Sequence, residues 1–182
     1  WGYFNDVNNE WRYEDFFFEE LMAEVEKKYR IKSEKKYRAI AGLSKGGGGT
    51  FFYAMHRPDL FSSACPLSAS LRNTTFEGFN QGRQTNKNGV KNTDTLQGYY
   101  DRHSALRQIE LNELGAIKSV KWYFDCGDDD FLYEGNSMVH IAMKKKEISH
   151  EFRIRDGAHN WTYWRTSLPE VLSFVSDTFR QK

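Results

Sequence analysis

The chain predicts an α/β fold, a parallel sheet flanked by helices, on three observations. Short apolar runs alternate with amphipathic stretches over most of the sequence. The first run, Arg38-Ala39-Ile40-Ala41-Gly42-Leu43, is nearly unbroken, which suits a strand buried on both faces of a parallel sheet. The strand, helix, strand, helix order then implies parallel pairing with right-handed crossovers. At 182 residues the chain has the length of one domain, and residues 1–182 are read as a single unit.

Taken in order, Tyr13 to Tyr29 reads as an amphipathic helix. Phe17, Leu21, Val25 and Tyr29 recur every four residues beside Phe18 and Met22, and Glu14, Glu19, Glu20, Glu24 and Lys28 fill the other positions. A polar turn at Lys32 to Lys36 precedes the Arg38–Leu43 strand. Ser44, Lys45 and four glycines follow, and Thr50 to Met55 reads as helix, ended by Pro58. Phe61 to Ser68 is a second strand, Val120 to Cys126 a third and Glu151 to Arg155 a fourth. Ser137 to Lys146 is a helix. Leu168 to Arg180 closes the chain as a helix with Leu168, Val171, Leu172, Val175 and Phe179 inward. Between the second and third strands, Ser70 to Gly98 is rich in Asn, Gly, Thr and Gln and reads as a polar loop insertion, a lid or binding loop.

Charge narrows the partners. With 26 basic against 25 acidic residues and no basic stripe, nucleic acid and anionic membrane are poor partners. No run approaches the roughly 20 apolar residues of a membrane span, and no signal-peptide layout opens the sequence. Trp1-Gly2-Tyr3-Phe4-Asn5, without an initiator Met, reads as a start in mid-protein, so a processed or partial chain is expected. Cys65 and Cys126, both in strand-like runs, read as buried thiols rather than a disulfide framework. Aromatics at 16% suit bulky core layers or a site that stacks flat or sugar-like ligands.

The chemistry concentrates at Gly42-Leu43-Ser44-Lys45-Gly46, a G-x-S-x-G pattern with a strand before it and a helix after. A nucleophile on such a sharp turn leaves no room for side chains two residues either way, hence the glycines. The helix N-terminus also aims backbone N–H groups at a developing oxyanion. A phosphate loop would need the order G-x-x-x-x-G-K-[ST], which is absent, and a dinucleotide site lacks its acidic residue about 20 positions on.

A nucleophilic serine needs a base, and the base an orienting group, in the chain order Ser, Asp or Glu, His. Cys126-Gly127-Asp128-Asp129-Asp130-Phe131-Leu132 follows the third strand, where the acid belongs. Asp130 is the choice because Phe131-Leu132 can anchor it against the core; Asp128 is the alternative. Three consecutive carboxylates do not match the spaced calcium-loop pattern, so no metal is assigned. Of the five histidines, His56, His140 and His150 sit in or beside regular elements, and His103 reads as surface or core. His159 alone lies on a loop after the last strand, at the sheet end where α/β sites assemble.

These blocks resemble the esterase D-like branch of the α/β-hydrolases, which includes bacterial feruloyl and acetyl-xylan esterases, tributyrin-type esterases and S-formylglutathione hydrolases. The resemblance rests on Tyr13-Glu14-Asp15, Arg38 to Gly48, Cys126-Gly127 with Asp130 to Asn136, and Gly157-Ala158-His159-Asn160-Trp161 with Trp164. It implies an α/β-hydrolase fold whose N-terminal strands are absent from this chain. It makes Ser44 the nucleophile, His159 the general base and then acid, Asp130 the orienting carboxylate and the Lys45 N–H one oxyanion donor. A serine ester hydrolase acting on feruloyl or acetyl esters of plant cell-wall polysaccharide is therefore expected, with no metal or organic cofactor and a small ester or esterified polysaccharide as its partner. Trp161, Tyr163, Trp164 and the 70–98 loop are candidates for substrate contact, with core packing the other reading of the aromatics. Relatives supply a second oxyanion donor from an earlier loop, and losing one donor costs on the order of 10²–10³ in rate. The chain alone is thus expected to be weakly active, with an unpaired first-strand edge open to a missing N-terminal segment or to self-association. A thioesterase acting on S-formylglutathione and a non-catalytic carbohydrate-binding module are the alternatives.

Overall fold

The four strand-like runs form one sheet. A computed structural model of the chain describes residues 3–8, 10–71, 75–79 and 93–180. Strands β1 (Ala39–Leu43), β2 (Ser63–Leu67), β3 (Lys121–Gly127) and β4 (His150–Arg155) are all parallel and lie in the order β1-β2-β3-β4. Gly42 pairs with Pro66, Leu67 with Asp125, and Asp125 with Arg153, which brings the C-terminal ends of the four strands to one edge. Pro66 lies in an interior strand although it has no N–H to give; the register toward β3 skips Cys65 and Pro66 and resumes at Leu67.

The period-two alternation of β3 sorts the core into two layers. Trp122 and Phe124 face one side, with Phe51, Phe52 and Met55 of α3 (Lys45–His56) and Ile109, Ile117, Val139 and Met143. Those last four come from α5 (Ala105–Leu111), α6 (Leu114–Lys118) and α7 (Tyr133–Lys145). Tyr123 faces the other side, with Cys65, Leu67 and Val171 of α8 (Trp161–Arg180). Both thiols are free and buried, and burial pushes each up to about 12. No helix among the described residues is long and apolar enough to cross a membrane.

Several boundaries differ from the sequence reading. Strand β1 lies at the sheet edge, where the sequence reading put it, but it is not buried on both faces, since Ala41 is exposed. Helix α3 starts at Lys45 and takes in all four glycines. Propensity argues against this, at about 1 kcal/mol per glycine relative to Ala, but packing requires it. A Cβ on Gly47 would lie 2.6 Å from the Leu67 carbonyl oxygen, and one on Gly49 2.7 Å from the Tyr3 ring.

The first helical region is composite: α1 (Tyr13–Asp15), a π-helical stretch (Phe16–Leu21) and α2 (Met22–Lys28). Phe17 and Phe18 pack on Tyr53, with ring centroids 4.6 and 5.0 Å away. The wider π turn then rotates the following residues out of line, so Leu21, Val25 and Tyr29 are exposed rather than inward. Helix α8 begins at Trp161, seven residues before Leu168, and carries Pro169 inside it; Leu168 and Leu172 face solvent. The stretch read as a 70–98 loop ends early, because α4 (Thr93–His103) is helical from Thr93. Residues 72–74 and 80–92 lie outside the described residues.

Glu14 explains how the first helical region is held. Its buried carboxylate accepts from His56 Nδ1 at 2.7 Å and Arg102 Nη2 at 2.9 Å, tying α1 to α3 and α4. Burial alone would raise its carboxyl, but the hydrogen bond and charge of His56, with Arg102, bring it below the usual carboxylate range. A lowered folded-state value means this stabilisation is complete above the unfolded carboxylate range and lost as the pH falls through the folded value. Glu14→Gln should therefore lose stability at pH 7 and progressively less toward pH 3, measured by urea unfolding. In the same assay Gly47→Ala should lose about 1–3 kcal/mol by forcing a backbone contact. Gly98→Ala, in α4 with nothing within 4 Å of the new Cβ, should gain about 0.5–1 kcal/mol.

Candidate active site

Ser44 sits between β1 and α3 with φ 57° and ψ −117°, a backbone conformation strained for a residue with a side chain. The surroundings hold it there. Its N–H donates to the Leu67 carbonyl at 2.9 Å, and its own carbonyl accepts from Ser70 N–H at 2.9 Å and Gly48 N–H at 3.1 Å. Gly42 is required by contact, since a Cβ there would lie 2.4 Å from the Gly46 carbonyl oxygen. Lys45 and Gly46 open α3, so their N–H groups have no acceptor within the helix and carry its positive end beside Ser44.

Asp130 lies on the loop after β3, its side chain fully buried. The loop is tied at each step: Asp130 N–H donates to the Gly127 carbonyl at 3.2 Å, and Leu132 N–H to Asp130 Oδ1 at 2.8 Å. Leu132 is the apolar anchor. Phe131, expected to share that role, is 64% exposed, with its ring 4.5 Å from that of His159. His159 Nδ1 lies 2.8 and 3.0 Å from the two Asp130 carboxylate oxygens, and Nε2 lies 2.8 Å from Ser44 Oγ. A carboxylate can only accept, so Nδ1 donates and Nε2 is left to accept the Ser44 proton. Ser44, His159 and Asp130 thus stand in one hydrogen-bonded line, at the sheet edge where the strand C-termini meet.

Asp128 does different work. It is exposed, and its Oδ1 accepts from Gly157 N–H at 3.0 Å and Asp129 N–H at 3.1 Å, fastening the His159 loop to the β3 loop. Asp128, Asp129 and Asp156 bring carboxylate oxygens within 4.8 Å of one another, all on exposed residues.

The aromatics of the last loop separate by burial. Trp161 is 61% exposed, with its ring 5.3 Å from Trp164. Trp164 is only 8% exposed; its indole N–H donates to Ser68 Oγ at 3.0 Å, and its ring meets His159 edge-on at 4.9 Å. Trp164 thus packs against His159, the other of the two readings of these aromatics. Tyr163 is likewise buried, its hydroxyl donating to Asp125 Oδ1 at 2.5 Å. The remaining histidines are occupied elsewhere: His56 by Glu14, His140 by His150 at 2.8 Å, and His103 by the Tyr99 carbonyl, with burial lowering it to about 4. Sequence reasoning missed Ser68, Asp125 and Asn136 as supports of the site. An Asp inside the run Trp122-Tyr123-Phe124-Asp125-Cys126 was the available signal for Asp125.

Comparison with known proteins places the chain among esterases. The family model described as "Putative esterase" matches residues 5–175. An acetyl esterase of Caldicellulosiruptor saccharolyticus is 23% identical over 186 residues, covering 96% of this chain and 67% of the relative. A solved ferulic acid esterase is 34% identical with a TM-score of 0.79, over 98% of this chain and 64% of its own. An S-formylglutathione hydrolase from Staphylococcus aureus shares the fold at 21% identity and a TM-score of 0.68, over 90% of this chain and 63% of its own. The chain spans about two thirds of the length of these relatives. It belongs to this esterase family, and its parallel sheet between two helical layers is an α/β-hydrolase fold.

Proposed function

We propose that the chain is the catalytic portion of a serine carboxylic-ester hydrolase that releases feruloyl or acetyl groups from esters of plant cell-wall polysaccharide. The observation that carries this reading is the Ser44–His159–Asp130 line at a strained strand-to-helix turn. The likeness to an acetyl esterase and a ferulic acid esterase supports the acyl groups named.

The chemistry is two-step acyl transfer. Ser44 Oγ attacks the ester carbonyl as its proton passes to His159 Nε2. The tetrahedral oxyanion forms near the Lys45 N–H and the positive end of α3. His159, now an imidazolium held by Asp130 through Nδ1–H, returns the proton to the departing alcohol. Water attacks the acyl-Ser44 ester by the same route and the acid leaves. Trp161, the exposed ring of its pair, is the proposed contact for the substrate's flat or sugar portion.

Ser44→Ala should abolish covalent labelling by a fluorophosphonate probe, read by mass spectrometry, and lower kcat for aryl acetates by roughly 10³-fold or more. Label persisting in that variant would overturn the assignment of the nucleophile. Asp130→Asn should lower kcat by up to about 10⁴-fold by upsetting the His159 tautomer, whereas Asp128→Asn should cost far less. Equal losses in the two would remove the distinction between these carboxylates. Methyl ferulate and acetylated xylan oligomers should be turned over with higher kcat/KM than S-formylglutathione. The reverse order would favour a thioesterase, and sugar binding that survives Ser44→Ala without any turnover would favour a binding module.

A further inference from the structure

Asp125, near the C-terminal end of β3, is fully buried, and four side chains converge on it. Oδ1 accepts from the Tyr163 hydroxyl at 2.5 Å and the Ser167 hydroxyl at 3.1 Å. Oδ2 pairs with Arg155 Nη1 and lies 3.3 Å from the Tyr123 hydroxyl. Arg155 is braced on its outer side by Glu170, at 2.5 Å. Burial, and next the hydrogen bond to Asp125, push the Tyr163 phenol well above its ordinary range, so Tyr163 stays the donor of that bond.

The partners bracket one segment. Arg155 is the last residue of β4, and Tyr163 and Ser167 lie in the first turns of α8. His159 is midway, four residues after Arg155 and four before Tyr163. The backbone between them is fitted to the same tyrosine: Gly157 has φ 144°, and a Cβ there would lie 2.5 Å from Tyr163 Cδ2. On β3, the Asp125 carbonyl accepts from Ser68 N–H at 2.7 Å, and Ser68 Oγ in turn holds Trp164, the ring against His159.

We infer that Asp125 is a positioning residue for His159: one buried carboxylate clamps both ends of the loop that carries the imidazole and refers it to β3, the strand that also delivers Asp130. The inference rests on the reading of His159 as the general base. Asp125 touches neither substrate nor reacting atoms; it acts through Arg155 and Tyr163. A misplacement of about 1 Å in a reacting group can cost on the order of 10²-fold in rate.

The test uses the full chain with Tyr163→Phe and Asp125→Asn, each checked for a native circular dichroism spectrum. Kinetics are measured on 4-nitrophenyl acetate. A second readout, independent of turnover, is the low-field Nδ1–H proton resonance of His159, assigned by its loss in His159→Gln. The expected result for folded variants is a kcat lowered roughly 10- to 100-fold, a KM within about threefold, and a His159 resonance broadened or shifted upfield. If Asp125→Asn does not fold, Tyr163→Phe decides. Variants with normal kcat and an unmoved resonance would overturn the inference, and so would a loss of activity tracking only loss of fold. A wild-type chain that turns over no ester, yet whose His159 resonance moves in the variants, would sink the esterase reading and leave the clamp standing.

Discussion

The site depends on a contact between two glycine backbones. Gly127 ends β3 and Gly157 follows β4, and a Cβ on Gly127 would lie 2.0 Å from the Gly157 carbonyl oxygen. No side chain fits between them, so the loops after the two strands run in direct backbone contact. Asp129 N–H donates to the Gly157 carbonyl, and Gly157 N–H donates back to Asp128 Oδ1, both at 3.0 Å. This reciprocal pair leaves Asp130 as the next carboxylate to turn inward. It also sets His159, two residues past Gly157, within reach. The three consecutive aspartates therefore divide the work: Asp128 ties the loops by its side chain, Asp129 by its backbone, and Asp130 meets the imidazole.

Ser44 reaches the same point by a different constraint. Its strained turn is fixed by the Leu67 carbonyl from the neighbouring strand and by Ser70 N–H returning to it. Asn136 secures that return: its side chain accepts from Ala69 N–H at 3.2 Å and donates to the carbonyls of Ala69 and Leu132 at 2.9 and 2.8 Å. One buried amide thus joins the loop after β2 to the start of α7, next to Asp130. Groups contributed by three strands converge because backbone hydrogen bonds between their following loops register them, and the glycines permit that approach.

The sharp turn at Ser44, the parallel sheet and the three side chains that meet, Ser44, Asp130 and His159, were legible in the sequence because each is a local pattern with a physical reason. Apolar runs mark strands, and two glycines flank a sharp turn, of which Gly42 tolerates no Cβ. What was not legible depends on tertiary context. The glycines of α3 argue against helix by propensity, and only the strand and loop backbones against which Gly47 and Gly48 pack outweigh that preference. The four-residue spacing of Phe17, Leu21, Val25 and Tyr29 predicts a continuous stripe, which a π turn interrupts where Phe17 and Phe18 close on Tyr53. Trp161, Tyr163 and Trp164 look alike as a cluster, yet helix geometry sends Tyr163 and Trp164 inward to Asp125 and Ser68 and leaves Trp161 exposed.

Asp125 illustrates why a buried charge is informative even where it adds little to stability. Removing a carboxylate from water costs several kcal/mol, and well-packed apolar groups of similar volume are often at least as stable as a buried ion pair. A core selected for stability alone would have continued the apolar run Trp122-Tyr123-Phe124 through position 125. The carboxylate instead engages Arg155, Tyr163 and Ser167 by directional bonds, and directionality is what apolar packing lacks. A loop that holds an imidazole nitrogen 2.8 Å from a serine hydroxyl gains that directionality at both ends. The polar interior behind His159 is accordingly the structural counterpart of the strain at Ser44: both trade stability for the placement of one atom.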